Sequence, residues 1–410
     1  MKFNRYTKHY IKKILGRPDH AWHKTVFEDR IKKDTWKNRA GILANAELAL
    51  ADRGSYESEE AYGVSNDPIV IQGHTLKKKI ETEFSGILEN RHFERIVIHI
   101  PDQNISPAGY SLFTNFKEAF EFIGVPTKEL DWNEPIGPIL DSFKPTILLT
   151  SDHASYLEKI DWRTVKDRKK IHHLKIGLTA SLEEYGNSPL AGRLAWAKAH
   201  SVDFYYSFRD PEYIHSRKEY RPFFDAGYKV LFMPFGAHIS RYFPVAGFER
   251  DLNYVYLASK QSSKPAMLDF LSPIMTEYPG FIDGPGWERI KKFRFNRDRD
   301  RYVYARAKVG LNLHLPEQIN WPCETNERTY QLAACGVPQV TDHAKLLDKI
   351  FGPDSLFIAD TPEAYLAHFE NIIHNPDIGT RHALAAQKEV FEKHTTYHRA
   401  ASFIDQLKSL

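Results

Sequence analysis

The chain has 410 residues, 42 % apolar and 27 % charged, with a formal net charge of +3. That balance suits a soluble globular protein and argues against a dedicated nucleic-acid binder, and no apolar run nears the ~20 residues a bilayer span needs. Two cysteines, Cys323 and Cys335, provide neither a disulfide framework nor a C-x-x-C metal pattern, so a reducing cytoplasm is the expected compartment.

At this length two domains of roughly 150–250 residues are expected. At the start, Lys2, Arg5, Lys8, Lys12, Lys13 and Arg17 precede the first acid, Asp19, and Phe3, Tyr6, Tyr10, Ile11, Ile14 and Leu15 recur among them at helical spacing. Residues 2–17 therefore suit either an interfacial helix on anionic lipid, at the inner face of a membrane, or a solvated helix at a mobile terminus. The stretch 1–90 is polar, with a loop expected from Arg53 to Pro68 and a short strand at Ile69–Ile71.

From Arg95 the chain becomes regular. The β-branched run Arg95–Ile100 predicts a strand, followed by a turn-rich loop to Gly109. Phe113, Phe116, Phe120 and Ile123 share one side of a helix over Tyr110–Ile123, which Gly124, Val125 and Pro126 end. A helix over Pro138–Phe143 follows, then strands at Thr146–Thr150, Lys175–Thr179, Asp203–Ser207 and Lys229–Met233, with a helix over Ser188–Ala199. Pro234–His238 breaks this pattern. Beyond it the alternation resumes: strand Tyr254–Leu257, helix Lys264–Met275, strand Gly280–Asp283, turn Gly284–Gly286, helix Arg299–Lys308 and strand Val309–Leu313. Asn326–Asp342 reads as a polar loop, a short helix stopped by Gly336, Val337 and Pro338, and a buried strand; Ser355–Ile358 is the last strand. Thr361, Pro362 and Glu363 start a helix with a capping hydroxyl, Pro at N1 and an acid in the first turn. Two more helices run over Arg381–Glu392 and Tyr397–Leu407.

Strands alternating with helices predict an α/β protein of two doubly wound, Rossmann-like domains facing across a cleft. The expected division is an N-terminal extension 1–90, a first α/β domain 91–236, a linker 237–250, a second α/β domain 251–392, and a terminal helix in 393–410 packing back on the first domain.

Ligands of open parallel sheets bind beyond the carboxyl ends of strands, near helix N-termini. In the second half that rule selects Lys260 and Lys264 in a hydroxyl-rich turn, and Gly284 and Trp287 after the next strand, where backbone approach and an aromatic face suit a nucleotide. It also selects the loop from His314 to Glu324, and the helix start carrying Asn326, Arg328, Thr329 and Gln331. Solvated lysines, an ordinary tight turn and a packed Trp are the plainer alternatives. No G-x-G-x-x-G or Walker A pattern is present. In the first half, Asp102, Asn104 and Gly109 follow one strand, and Asp152 and His153 follow another. Asp152 or His153 could act as general base on an acceptor hydroxyl, with Asp152 as a helix cap the competing reading; His238 reads as an acceptor-side or hinge residue.

Four segments together resemble the GT-B glycosyltransferases whose second domain is of the "glycosyl transferases group 1" kind. Asp283–Trp287 is similar to the family's apolar-G-x-G-W turn, and Asn326–Gly336 to its N-x-R-T-[FY]-E-x-x-A-C-G segment. Lys393–Arg399 is similar to its H-T-Y-x-H-R, and Met233–Ala237 to its interdomain linker. The resemblance covers about residues 230–405 in order. It implies transfer of a sugar from a nucleotide diphosphate-sugar to a glycan, lipid-linked or protein acceptor in surface polysaccharide, glycolipid or glycoprotein assembly. It also implies no metal and no cofactor, Lys260, Lys264 and Arg328 on the leaving diphosphate, and retention favoured over inversion. The pattern departs at Gln331, where relatives place a Glu for the ribose, and Glu324 and Glu327 are the nearby carboxylates. A sugar-nucleotide epimerase and a catalytically silent GT-B scaffold are the alternatives.

Overall fold

The computed structural model describes residues 35–89, 94–182, 187–259, 268–284, 287 and 297–410. The basic stretch 2–17 lies outside the described residues. Among them, no helix is long and apolar enough to cross a membrane.

Two parallel sheets organise the chain. The first contains β1 (Ile96–His99), β2 (Thr127–Leu130), β3 (Ile147–Thr150), β4 (Lys175–Thr179), β5 (Phe204–Ser207) and β6 (Val230–Phe232), ordered β2-β1-β3-β4-β5-β6. The second contains β7 (Val255–Leu257), β8 (Phe281–Asp283), β9 (Gly310–Asn312), β10 (Gln339–Asp342) and β11 (Phe357–Ala359), ordered β11-β10-β9-β7-β8. Every pairing is parallel, with Ile96 opposite Ile147 and Val340 opposite Leu311. Because helices cover both faces of a parallel sheet, its strands need continuous apolar runs, and β1 and β3 are buried at every position. The first core gathers Val97, Leu148, Ile176 and Tyr205 with Ile139 and Leu140. The second gathers Tyr256, Leu311 and Val340 with Ile274, Tyr365 and Phe369.

The described parts of 1–77, with 239–321 and 325–391, form one compact unit, and those of 78–238, with 322–324 and 392–410, form the other. In the latter, the Thr396–Leu407 helix closes the edge of its sheet. Gln406 accepts from Phe232 N at 2.7 Å and donates to Phe232 O at 2.9 Å, so one side-chain amide satisfies the exposed backbone of β6.

Several local expectations are corrected. Ile69–Ile71 is no strand but part of the Pro68–Phe84 helix. Asp67 Oδ1 accepts from Ile69 N at 2.9 Å, Pro68 takes the first turn, and Ile69, Val70, Ile80 and Phe84 are buried. Capping and a long apolar face outweigh three β-branched residues. The loop after Arg53 holds two short helices, Gly54–Glu57 and Glu59–Gly63. Strand β2 was not expected: Thr127–Leu130 is a half-exposed edge strand and lacks an apolar run. The polar Trp162–His172 helix was missed for the same reason. The helix expected over Arg299–Lys308 spans Arg297–Ala305.

Candidate functional site

In the second sheet the strand order reverses between β7 and β9, and the crevice of such a sheet opens at the carboxyl ends of those two strands. The Glu327–Ala334 helix starts there. Its cap, Asn326, accepts from Thr329 N at 3.0 Å and donates through Nδ2 to Asn312 Oδ1 at 2.9 Å and Leu313 O at 3.0 Å. One asparagine thus starts the helix and ties it to the end of β9.

A buried polar network sets that cap. Asn312 Nδ2 donates to Thr329 Oγ1 at 2.8 Å and to Gln339 Oε1 at 2.7 Å. His314 Nδ1 lies 2.7 Å from Asp342 Oδ1, and its Nε2 lies 3.2 Å from Thr329 Oγ1. The Asp342 carboxylate also accepts from His314 N at 3.0 and 3.1 Å. Such a network rigidifies what it holds when its members are satisfied. The polar atoms of Thr329 and His314 are thus engaged within the fold.

Arg328 is the contrast. Its guanidinium lies 4.8 Å from the ring centroid of Tyr256 on β7, and its buried Nε and Nη1 have no hydrogen-bond partner among the described residues. A guanidinium resting on an aromatic face with Nε and Nη1 unspent, at a helix N-terminus, can fork onto a phosphate. Gln331 is half-buried on the same helix.

Beside β7, Gly284 follows β8 with φ 132°, and an added Cβ would fall 2.3 Å from Ala258 O. Only glycine fits that approach. Trp287 is buried and donates its indole N–H to the same carbonyl at 2.7 Å, so the turn is tied to the end of β7. Asn326, Arg328, Gly284, Trp287 and His314 thus gather around the strand ends. Glu324 belongs to the other compact unit and lies 3.6 Å from Arg209. Lys260 and Lys264 lie outside the described residues.

A cavity of about 560 Å³ opens at the ends of β9, β10 and β11, lined in part by His314, Asn320, Asp342, His343, Lys345 and Asp360. His343 Nδ1 lies 2.7 Å from Asp360 and Nε2 3.0 Å from Asp348. Two acceptors on one ring call for both N–H groups, and hydrogen bonds to the two carboxylates raise the His343 pKa.

The first sheet reverses between β1 and β3. Asp102 accepts from Asn104 N at 2.7 Å and Nδ2 at 3.0 Å in an exposed turn. Gly109, in the first turn of the Pro107–Phe122 helix, is closely packed, and an added Cβ would fall 2.7 Å from Ser106 Oγ and 3.0 Å from Tyr156 Oη. Asp152 is buried; it pairs with Arg193 and accepts from Thr179 Oγ1 at 3.1 Å and Ser181 Oγ at 2.7 Å. The cap of the next helix is His153, not Asp152: His153 Nδ1 accepts from Ser155 N at 3.3 Å, which in the neutral ring puts the proton on Nε2, and it also lies 2.7 Å from Ser155 Oγ. His238 is buried, with Nε2 2.7 Å from Glu118 and Nδ1 3.1 Å from Thr396 Oγ1.

Sequence reasoning passed over Asn312, Asp342, His99 and Tyr156. The available signal was a polar residue at the end of an apolar strand, as in Gly310–Asn312 and Gln339–Asp342. His99 ends β1, stacks on Trp132 with ring centroids 5.2 Å apart, and bonds Thr150 Oγ1 at 3.0 Å. Burial pushes its pKa down from 6.5 to about 4. Between those values the unfolded chain binds the proton and the folded chain does not, so stability is lost as pH falls from 6.5 to 4. Urea titrations should show wild type losing up to about 3 kcal/mol relative to His99→Phe over that range, and parallel curves would refute it. The comparison with the variant removes the opposite contributions of Asp300 and Glu129, both raised to about 7.

Comparison with known proteins supplies independent findings. Residues 265–405 match the family model described as "Glycosyl transferase-like". No curated protein matches the sequence. A T4 phage BGT variant solved with UDP-glucose is similar in fold, with TM-score 0.52 and 11 % identity over 77 % of this chain and 99 % of that one. HepE of Anabaena, solved with UDP and glucose, aligns at TM-score 0.47 and 11 % identity over 77 % and 100 %. A glycosyltransferase of Rickettsia africae aligns at 0.49 and 9 % over 78 % and 99 %. The two Rossmann-like sheets are those of the GT-B fold.

Proposed function

We propose that this chain, of GT-B fold, is a glycosyltransferase that receives the diphosphate of a nucleotide-sugar at the N-terminus of the Glu327–Ala334 helix and passes the sugar to an acceptor hydroxyl. The observation that carries the reading is Arg328, held at the strand-order reversal over Tyr256 with Nε and Nη1 unspent. Charge building on the leaving diphosphate would meet a helix dipole already in place and a guanidinium that needs only to turn its buried donors toward the ligand. Those groups support transfer without a metal or a cofactor. The cavity bounded by His314, Asp342 and Asp360 is large enough for a nucleoside. The acceptor is assigned to the loops after β1 and β3, which carry Asp102, Asn104 and Gly109, with His153 as candidate base in the tautomer whose Nδ1–H donates to Ser155 Oγ, 2.7 Å away, and leaves Nε2 bare.

Thermal shift with UDP-, GDP-, dTDP- and CMP-linked sugars tests the reading, beginning with UDP-glucose. At 100 times Kd the matching donor should add about 2.7 kcal/mol to stability. No response to any of them refutes nucleotide-sugar binding. Interconversion of the bound sugar without acceptor would mark an epimerase, and binding without turnover a scaffold. The anomer of the product, read by NMR, decides between the favoured retention and inversion.

A further inference from the structure

We propose that Arg39, from a helix more than two hundred residues before the second sheet's site, is a positioning residue for the donor-side turn at Gly284. The proposal rests on the donor reading above.

The Thr35–Ala51 helix packs against the Arg297–Ala305 helix and against β8. Arg39 forms an ion pair with Asp283 Oδ1, both side chains less than a tenth exposed. The other carboxylate oxygen of Asp283 lies 3.5 Å from Arg299 Nη2, and Arg299 Nη1 lies 3.3 Å from Glu47 on the same N-terminal helix. Arg39, Asp283, Arg299 and Glu47 thus form one chain of charges that begins and ends on that helix. Asp283 is the last residue of β8, immediately before Gly284.

A second anchor lies apart from that turn. Glu57 pairs with Arg301 at 2.6 Å and accepts from Tyr302 Oη, so the Gly54–Glu57 helix is also fastened to the Arg297–Ala305 helix. Both anchors draw on the alternating run Arg297, Asp298, Arg299, Asp300 and Arg301, but of the two it is the Arg39 anchor that meets the strand end. Without Arg39, Asp283 keeps Arg299 on one oxygen and loses the partner that fixes the other. A buried carboxylate short of a partner turns toward water, and it takes the following glycine with it. The segment from 35 to 57 then acts as the outer frame of the donor site, fixing the close approach of Gly284 to Ala258.

The test uses the full chain with three single substitutions: Arg39→Gln, Arg39→Lys and Glu57→Gln. Hydrogen exchange over residues 281–287 is measured without nucleotide, and KM and kcat are measured with UDP-glucose. Arg39→Gln should speed exchange over 281–287 and raise KM about tenfold with kcat unchanged. Arg39→Lys, which keeps the charge, should recover part of both effects. Glu57→Gln loosens the same segment away from the turn and should leave exchange at 281–287 and KM at wild-type values. Unchanged exchange in Arg39→Gln, or an equal change in Glu57→Gln, overturns the proposal while intact donor binding leaves the donor reading standing. A wild-type chain that binds no nucleotide-sugar overturns the donor reading, and the donor-positioning role of Arg39 falls with it even where exchange responds.

Discussion

An Arg328→Ala chain is expected to lose roughly 10–100-fold in affinity for UDP while its melting temperature stays close to wild type. The two halves of that expectation share one cause. Among the described residues, Nε and Nη1 of Arg328 are buried without hydrogen-bond partners, so the guanidinium contributes little to folding beyond its contact with Tyr256. That contact is worth about 0.5–2 kcal/mol, offset by the desolvation of the unspent donors. On a diphosphate the same groups make charge-assisted hydrogen bonds of about 1.5–3 kcal/mol each. Arg328→Lys keeps the charge but loses the fork, and should fall between. Calorimetric titration with UDP decides it: unchanged affinity in Arg328→Ala removes the residue from the donor site.

The second large effect concerns folding. Arg193→Met should destabilise the protein by about 3–5 kcal/mol, because it strands a buried carboxylate. Asp152 and Arg193 are 1 % and 4 % exposed at their side chains, and Arg193 Nε also donates to Ser188 O at 2.9 Å. The double variant Asp152→Asn with Arg193→Met removes both charges and should regain much of the loss, as read from urea midpoints. Additive losses would refute the coupling. The double variant also separates structure from chemistry. If it folds and transfers sugar at the wild-type rate, Asp152 is a framework residue and the candidate base is His153.

The legible parts of this protein share a physical property. Ile96–His99 and Ile147–Thr150 are strands buried at every position, and that condition writes itself into consecutive residues. Asn326 was legible as a helix start because a cap acts over three residues, and Asn326 Oδ1 indeed accepts from Thr329 N. Thr127–Leu130 was not legible, since an edge strand needs no apolar run. Ile69–Ile71 misled because three β-branched residues are weak evidence against a capped helix of 17 residues.

By itself, then, the sequence determined the alternation of elements, the helix start at Asn326 and the presence of Arg328 beside it. These depend on interactions between near neighbours or on burial of a continuous segment. The tertiary structure alone decided which charges meet. Arg193 pairs with Asp152 across 41 residues and Arg39 with Asp283 across 244, and nothing local selects those partners among 53 acidic residues. It also decided that His314 and Thr329 are engaged within a network while Arg328 keeps donors to spare. Whether a polar group is spent depends on what the fold brings within about 3 Å of it, and a linear pattern does not carry that distance.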